Sequence, residues 1–579
     1  NVQVKADKSM IFGSKSGLEL YSNSFYKALP TLKNGFMQDK MCDVGAVSNT
    51  DTFIKQGAYN TETATSWSWG ALKNINYFID GCNDPKYCTV DDNTRDNYLG
   101  IARWFRAWFY YDKLTTYGEV PWFPHDIQSY QNDVMYKDRD SRDVIIRNLI
   151  ADLDFAYEHI QATSSTGSST LTRWAAAALK SRVCLFEAAY RRYHNLTGLE
   201  ITPEELYREA AKAAKLVIDN SGCSLNTATG KKGAYRDLFY NETPLTQEVI
   251  LAVCANEKSG IFGEQNWWFN ARSYGLCWSL VRSFVHTYLK LDGTPFTDAA
   301  DYAVKSFTEE MEGRDLRLEQ TVRGRNFLWD GKTAVADIKN LSLTGYQVIK
   351  YTLDESKYDG GAKNINSIPL IRYAEVLLNY AEAQAELGVI TDSEWALTVG
   401  ALRKRAGITG GTETLPTTVD GYLQRTFYPD VTSPVLLEIR RERAIELVAE
   451  GMRFDDLRRW KCGSLMETLP WSGIHIPGLE QPVDVNGDGV DDYYFTEGEV
   501  TAAPAAYRNI AIRVNQDGVG LYAEANAVAG YDLVYKTGAG DRYWYPDGRQ
   551  YLYPIPAKVI RDYKNAGYTI SQNPYWDNE

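Results

Sequence analysis

The chain has 579 residues, 44% hydrophobic and 24% charged, with a net charge of −13. That acidity argues against a phosphate-backbone partner, because nucleic-acid binders carry a basic footprint, and it disfavours docking on anionic lipid. No run of 18 or more apolar residues occurs, so no membrane-spanning helix is expected.

The chain opens at Asn1 with neither a Met nor an apolar leader, so any signal peptide is expected to have been removed. Residues 15–30 (KSGLELYSNSFYKALP) read as a helix stopped by Pro30, followed by an irregular Gly-, Asn- and Thr-rich stretch to about 66. Apolar periodicity then predicts helices over 71–80, 97–114, 141–160, 172–194, 203–219, 369–387, 393–405 and 434–449. The helices 175–193 and 204–218 put equivalent positions roughly one tetratricopeptide repeat apart, about 34 residues. The small-residue runs AAAALK and REAAKAAKL let such helices approach closely. Two regions break the rhythm. Residues 221–367 mix β-like runs (EVILAVC, YQVIKY) with Gly-, Asn- and Trp-rich loops, and 463–550 are rich in Gly, Pro, Asp and Tyr. The predicted fold is mainly α: a tetratricopeptide-like helical-repeat scaffold (about 15–220 and 368–462) decorated with long loops and short β-strands. A loop-rich ligand-binding insertion (about 221–367) and a loop-rich C-terminal region (about 463–579) complete one integrated domain.

The stretch 434–461, PVLLEIRRERAIELVAEGMRFDDLRRWK, reads as a helix begun by Pro434 and ended by Gly451, then a second short helix. Leu436, Leu437, Ile439, Ala444, Ile445, Leu447 and Val448 share one arc, so that face is expected to be buried. Arg440, Arg441 and Arg443 project into the same arc. An unpaired buried charge costs several kcal/mol, so they need partners, and Glu438, Glu442, Glu446 and Glu450 are the nearby supply. Either a structural ion-pair network or a substrate-binding arginine cluster answers to this pattern.

RRERAIELVAEGMRFDDLRRWK resembles the C-terminal signature of the SusD/RagB family of Bacteroidetes cell-surface glycan-binding lipoproteins. The stretches FRAWFYYDKLTTYGEVPW (105–122), TGYQVIKY (344–351), IPLIRYAEVLLNYAEAQAELG (368–388) and YLYPIPAKVIRDYKNAGYTISQNPYW (551–576) match further, in the family's order. The resemblance implies a scaffold of divergent tetratricopeptide repeats and non-catalytic capture of oligo- or polysaccharide. It also implies delivery to a SusC-like TonB-dependent transporter, on the outward face of the outer membrane, by a protein acylated on an N-terminal Cys. The first cysteine here is Cys42, so such an anchor is expected outside this sequence.

No pattern nominates catalysis. The five histidines (125, 159, 194, 286, 475) form no HExxH, and no GxSxG, Walker A or strand-following GxGxxG occurs. The 75 acidic residues allow chance carboxylate pairs, but none is singled out. The chain is therefore expected not to be an enzyme; a helical-repeat protein–protein interaction module and a glycoside hydrolase are the alternatives. The eight cysteines lack CxxC pairs and His companions, which argues against zinc, and the spacing of Cys82 and Cys88 leaves a bridge open.

Aromatic residues are the positive signal, with 40 Tyr, 15 Trp and 20 Phe. Trp67 and Trp69 precede a helix and share a side if that segment is extended. The resemblance implies that a tryptophan ahead of an INxAN-like helix start stacks on sugar; INYF at 75–78 matches loosely, with Phe78 in place of a small residue. The alternative is that one of the two is core. A second cluster, GIFGEQNWWFNARSYGLCWSL (260–280), offers Trp267, Trp268, Tyr274 and Trp278, with Asn266, Asn270 or Arg272 to bond hydroxyls. A glycan, a protein partner or local packing would each cover these rings. Trp329, beside Arg323 and Arg325, is a third candidate. Finally, Asp484, Asn486 and Asp488 with Gly489 match the opening of a calcium loop, Val490 giving its carbonyl and Asp492 following. Phe495 stands where the closing Glu belongs, so the expectation is a structural calcium in an incomplete loop, against a solvated Asx turn.

Overall fold

The computed structural model describes residues 8–33, 39–270, 277–536 and 542–577. It is mainly α-helical, with a helical-repeat scaffold and short strands. Helix α1 (Lys15–Ser22) is capped by Ser14. It is followed by α2 (Gly70–Cys82), α3 (Asp92–Tyr117), α4 (Arg142–His159), α5 (Arg173–Tyr193) and α6 (Pro203–Asn220). Each terminus has a local cause. Ser141 caps α4, while Thr202 and Glu205 form a reciprocal capping box on α6 with Pro203 in its first turn. Helix α3 starts earlier than its apolar period, because Asp91 caps a first turn of polar residues, and Gly118 (φ 73°) ends it.

Helices α3, α4, α5 and α6 pack in succession, and α7 (Tyr373–Glu386) and α9 (Pro434–Glu446) continue the stack, α7 lying on α6 and α9 on α7. Helix α5 is buried along almost its whole length, and Ala175–Ala178 let its neighbours come close. The expected helix 369–387 divides: Ile368–Arg372 is a strand (β2) paired antiparallel with β1 (Val249–Val253), and α7 begins only at Tyr373. Residues 393–405 break at Thr398 (φ −107°, ψ −92°) into Asp392–Leu397 and α8 (Val399–Arg405). YQVIKY makes single bridges, Gln347 with Ser279 and Val348 with Val322, and no strand. The C-terminal region holds strands that its weak alternation did not announce. One antiparallel sheet joins β3 (Ser472–Ile476), β7 (Leu521–Ala525) and β8 (Tyr531–Tyr535), with β8 central. Another places β5 (Tyr493–Thr496) between β4 (Pro482–Val483) and β6 (Ala511–Arg513), the latter parallel to it.

The arginines of α9 are buried, which removes the substrate-binding reading for them. Arg441 bonds Asp420 and Glu438; Arg443 bonds Asp456, on α10 (Arg453–Arg459), at 2.7 Å and the Asn379 amide oxygen at 2.9 Å. Glu446 collects Arg317 (2.8 Å), Arg372 (2.7 Å) and Arg405, which ties α9 to β2 and α8. Burial pushes the Glu446 carboxyl up, but Arg405, Arg372 and Arg317 together outweigh it and hold it well below the usual range. Arg440 departs from the expected pattern. Its guanidinium lies 4.4 Å from the Trp460 ring centre, 5.0 Å from Tyr193 and 5.2 Å from Tyr428, so aromatic faces do the work of a carboxylate. All eight cysteines are free, Cys82 and Cys88 included.

Candidate functional site

A cavity of about 1160 Å³ opens between the start of α2, the segment 123–136 and helix α11 (Ala557–Asn565). Its most prominent aromatic rings are Trp67 and Trp69. The Tyr117 hydroxyl at the end of α3 donates to the Ser66 carbonyl at 2.5 Å, which pins the segment leading into α2. Trp67 then packs edge-on against Tyr117 (4.9 Å between centres) and Trp69 (5.3 Å). Trp69, at the N-cap of α2, leans on Phe109 (5.6 Å) and Phe123 (5.2 Å). Behind it the Lys113 ammonium lies 5.9 Å from the ring centre, pushed down by burial and partly restored by Asp112. Both tryptophans are half-buried, one part of each ring in the wall and one part on the cavity. Their planes meet at 71°, so they form a corner and not a shared flat shelf.

The floor is set by polar residues on one face of α2, which the sequence reading missed. Lys73 donates to the Ile127 carbonyl (2.8 Å), and Asn76 donates to the carbonyls of Phe123 (2.7 Å) and His125 (3.1 Å). Asp80 accepts from the His125 ring (2.8 Å) and the Asp126 amide (2.8 Å). The spacing 73, 76, 80 places all three on one side of a helix, and that polar stripe was the available signal. Helix α11 forms the opposite wall with Lys558, Val559, Arg561, Asp562 and Tyr563. Tyr563 anchors it, its ring edge-on to Tyr136 at 5.2 Å and its hydroxyl donating to the Lys137 carbonyl at 3.2 Å. The lining carboxylates Glu62 and Asp562 are each tied to a cation, Arg561 and Lys558 respectively, both at 2.6 Å.

The other predicted residues do not join this cavity. Trp267 and Trp268 sit half-buried on the helix Gln265–Asn270 with ring centres 5.4 Å apart, and Trp268 donates to Glu264 at 3.3 Å. Asn266 is a correction: it is fully buried, its amide oxygen accepting from Leu353 (2.8 Å) and Asn364 (2.7 Å), its amide nitrogen donating to the Leu353 carbonyl (2.8 Å). It braces loops and has no capacity left for a ligand. Trp278 is likewise core, 4% exposed, with its ring where a Cβ on Gly45 would stand. Tyr274 lies outside the described residues. Trp329 is half-buried on a hairpin, beneath the Arg323 guanidinium (5.3 Å).

At the calcium-like loop the side-chain oxygens serve the loop's own backbone. Asp484 accepts from Gly487 and Gly489 (both 2.8 Å), Asp488 from Val490 (2.9 Å) and Asp492 from Val485 (2.8 Å). Phe495, at the closing position, is buried in β5. Among the described residues no group of three or more His, Cys, Asp or Glu side chains is placed to hold a metal ion. A cation here would therefore rely on Asn486 and the Val490 carbonyl as well as carboxylates. Burial and the neighbouring Asp484 and Asp488 push the Asp492 carboxyl up, the mutual repulsion that a cation would relieve.

The family model described as the SusD family matches residues 247–576. The SusD-like protein P38 of Formosa agariphila is 25% identical over 380 residues, covering 62% of this chain and 66% of that protein. Among solved structures, a SusD-like protein from Bacteroides fragilis aligns over 98% of both chains at 20% identity, with a TM-score of 0.68. A SusD-like carbohydrate binding protein of the same organism aligns over 96% of this chain and 99% of its own, at 18% identity and TM-score 0.68. At these identities the structural likeness concerns the fold.

Proposed function

The chain belongs to the SusD family, and on that premise we propose that it is a non-catalytic receptor that captures oligo- or polysaccharide in the cavity between α2 and α11. Passage of the glycan to a SusC-like TonB-dependent transporter at the outer membrane is part of the same proposal. The observation that carries it is the corner of Trp67 and Trp69, half-exposed on a cavity that Lys73, Asn76 and His125 also line. A sugar ring presents C–H groups to such faces and hydroxyls to the surrounding polar atoms, and the trade of hydration for equivalent hydrogen bonds keeps affinity modest. No described helix is long and apolar enough to cross a membrane. Attachment to one is assigned, on the family resemblance, to a lipid anchor.

Calorimetric titration with fructans, glucans, mannans, xylans, pectins and mucin glycans tests the reading, with reducing ends monitored in parallel. Saturable heat without new reducing ends is expected. Turnover would make the protein a hydrolase. Binding lost in Trp267→Ala but kept in Trp67→Ala and Trp69→Ala would move the site to the 265–270 helix. We retain a structural calcium in the 484–492 loop as a separate proposal, supported by the order of oxygen residues and by the crowding of Asp484, Asp488 and Asp492.

A further inference from the structure

Resting on that reading of the cavity, we infer that its glycan carries acetyl groups, as O-acetyl esters or N-acetyl amides, and that one of them seats on the segment 126–136 beside Lys73. This segment runs from α2, where Lys73 holds the Ile127 carbonyl at 2.8 Å, to α11, where the Tyr136 ring meets Tyr563 at 5.2 Å. Along that path it sends Ile127 and Met135 to the cavity, and Val559, one turn before Tyr563 on α11, joins them. All three are half-buried, so each leaves apolar surface on the cavity. The segment's polar side chains go elsewhere. Gln128 donates to Asp126 at 2.8 Å, Gln131 accepts from the Gln128 amide at 2.8 Å, and Asp133 accepts from the Tyr568 hydroxyl. None of these four lines the cavity; Ser129 and Tyr136 are the polar side chains that the segment does supply to it.

A bare sugar fits this wall badly. Its hydroxyls would leave water for aliphatic side chains that return no hydrogen bond, and that loss is uncompensated. A methyl group gains by the same move. The acyl carbonyl beside it needs a donor, and Lys73 has one to give. Of the three N–H groups of its ammonium, one goes to the Ile127 carbonyl and one faces Asp126 at 3.1 Å, which leaves the third for a ligand in the cavity that Lys73 lines. Asn76, by contrast, has both amide protons committed to the carbonyls of Phe123 and His125. The donor is fixed at Ile127, the residue with which the aliphatic wall begins. Methyl-accepting surface with a single donor at its edge is the complement of an acetyl group. The corner of Trp67 and Trp69 is left for the sugar ring that bears it, and at about 1160 Å³ the cavity has room for both.

The test titrates the intact protein with matched pairs that differ in acetylation. For esters, each polysaccharide of the panel above is used acetylated and after mild alkaline de-esterification; for amides, chitohexaose is set against cellohexaose. The acetylated member of at least one pair is expected to bind at least about tenfold more tightly, the scale of a methyl group gained in an apolar pocket. Which kind of pair responds separates ester from amide, and the parent protein alone decides this. Met135→Ser together with Val559→Ser should abolish the preference, while Trp67→Ala weakens both members alike. Saturable, Trp67-dependent binding that is equal within every pair would overturn the acetyl assignment and keep the glycan site. A preference that survives the double variant would overturn it too, because the acetyl group would then sit elsewhere. Binding indifferent to Trp67→Ala and Trp69→Ala, or no saturable binding by any glycan, would overturn the site itself.

Discussion

Of the many places where this molecule sets a cation against aromatic rings, two are instructive because they differ in whether the cage is closed. Arg440 is 1% exposed, enclosed by Tyr193, Tyr428 and Trp460 inside the scaffold. Lys113 is flanked by Phe109, Tyr117 and Trp69, but the far side of Trp69 opens on the cavity. In the closed cage all aromatic surface is spent on the protein's own charge, so its product is stability. In the open one part of a ring is left for a ligand while the rest is held rigid from behind, and rigid presentation lowers the entropic cost of binding.

The sharpest separation of the two regions comes from Glu446→Ala. It removes a shared carboxylate from Arg317, Arg372 and Arg405, which keep only Asp315 and Glu442, Glu248 and Glu450, and Glu248 respectively, and a loss of about 3–5 kcal/mol is expected in urea unfolding. Glycan affinity of the protein that remains folded should be unchanged. Trp278→Ala, in the core beneath Gly45, should also cost about 3–5 kcal/mol and leave affinity alone. Trp67→Ala is the converse: stability within about 1 kcal/mol of the parent, but affinity down at least about tenfold by calorimetry. A variant that moved both quantities together would erase the distinction.

Acid should strike the scaffold first. Glu438, Glu446, Glu450 and Asp456 are buried, and their arginine and lysine partners outweigh that burial and hold them below the carboxylate range. The unfolded chain therefore takes up protons before the folded one, so this stability is complete above the ordinary carboxylate pKa and lost as pH falls through the depressed values. His194, which burial lowers to about 4, adds a loss of the same sign between about pH 6.5 and 4. Asp39 opposes them: burial raises it to about 7, so it costs stability as pH rises from about 4 to 7. The prediction is a melting temperature that falls below about pH 4.5, read by circular dichroism; a flat profile would contradict the ion-pair core. The smallest effect belongs to the 484–492 loop. Removing calcium should lower the melting temperature slightly, consistent with about 2.7 kcal/mol at a hundredfold excess of ligand over its dissociation constant. No shift would leave an Asx turn.

How much of this was legible in the sequence differs by level. The helices of the scaffold were, because their apolar period and the Ser, Thr, Asp and Pro at their starts are local quantities that need no distant partner. So was the pair Trp67 and Trp69, which the sequence placed just ahead of a helix. The second tryptophan cluster shows the limit. Trp267, Trp268 and Trp278 look alike in the sequence, yet Gly45, more than two hundred residues away, leaves the space that makes Trp278 core. Asn266 reads as a free amide until Leu353 and Asn364 are brought against it. The cavity's far wall comes from α11, near the chain's end, and its floor from a stripe on α2 that only gains meaning once the segment 123–127 lies across it. The sequence by itself determined the helices, the family signature and the acidic, aromatic character, since each is carried by neighbours in the chain. Which charges are spent on one another and which rings keep a face toward solvent was decided only by the tertiary structure, because burial and pairing are properties of residues that meet in space.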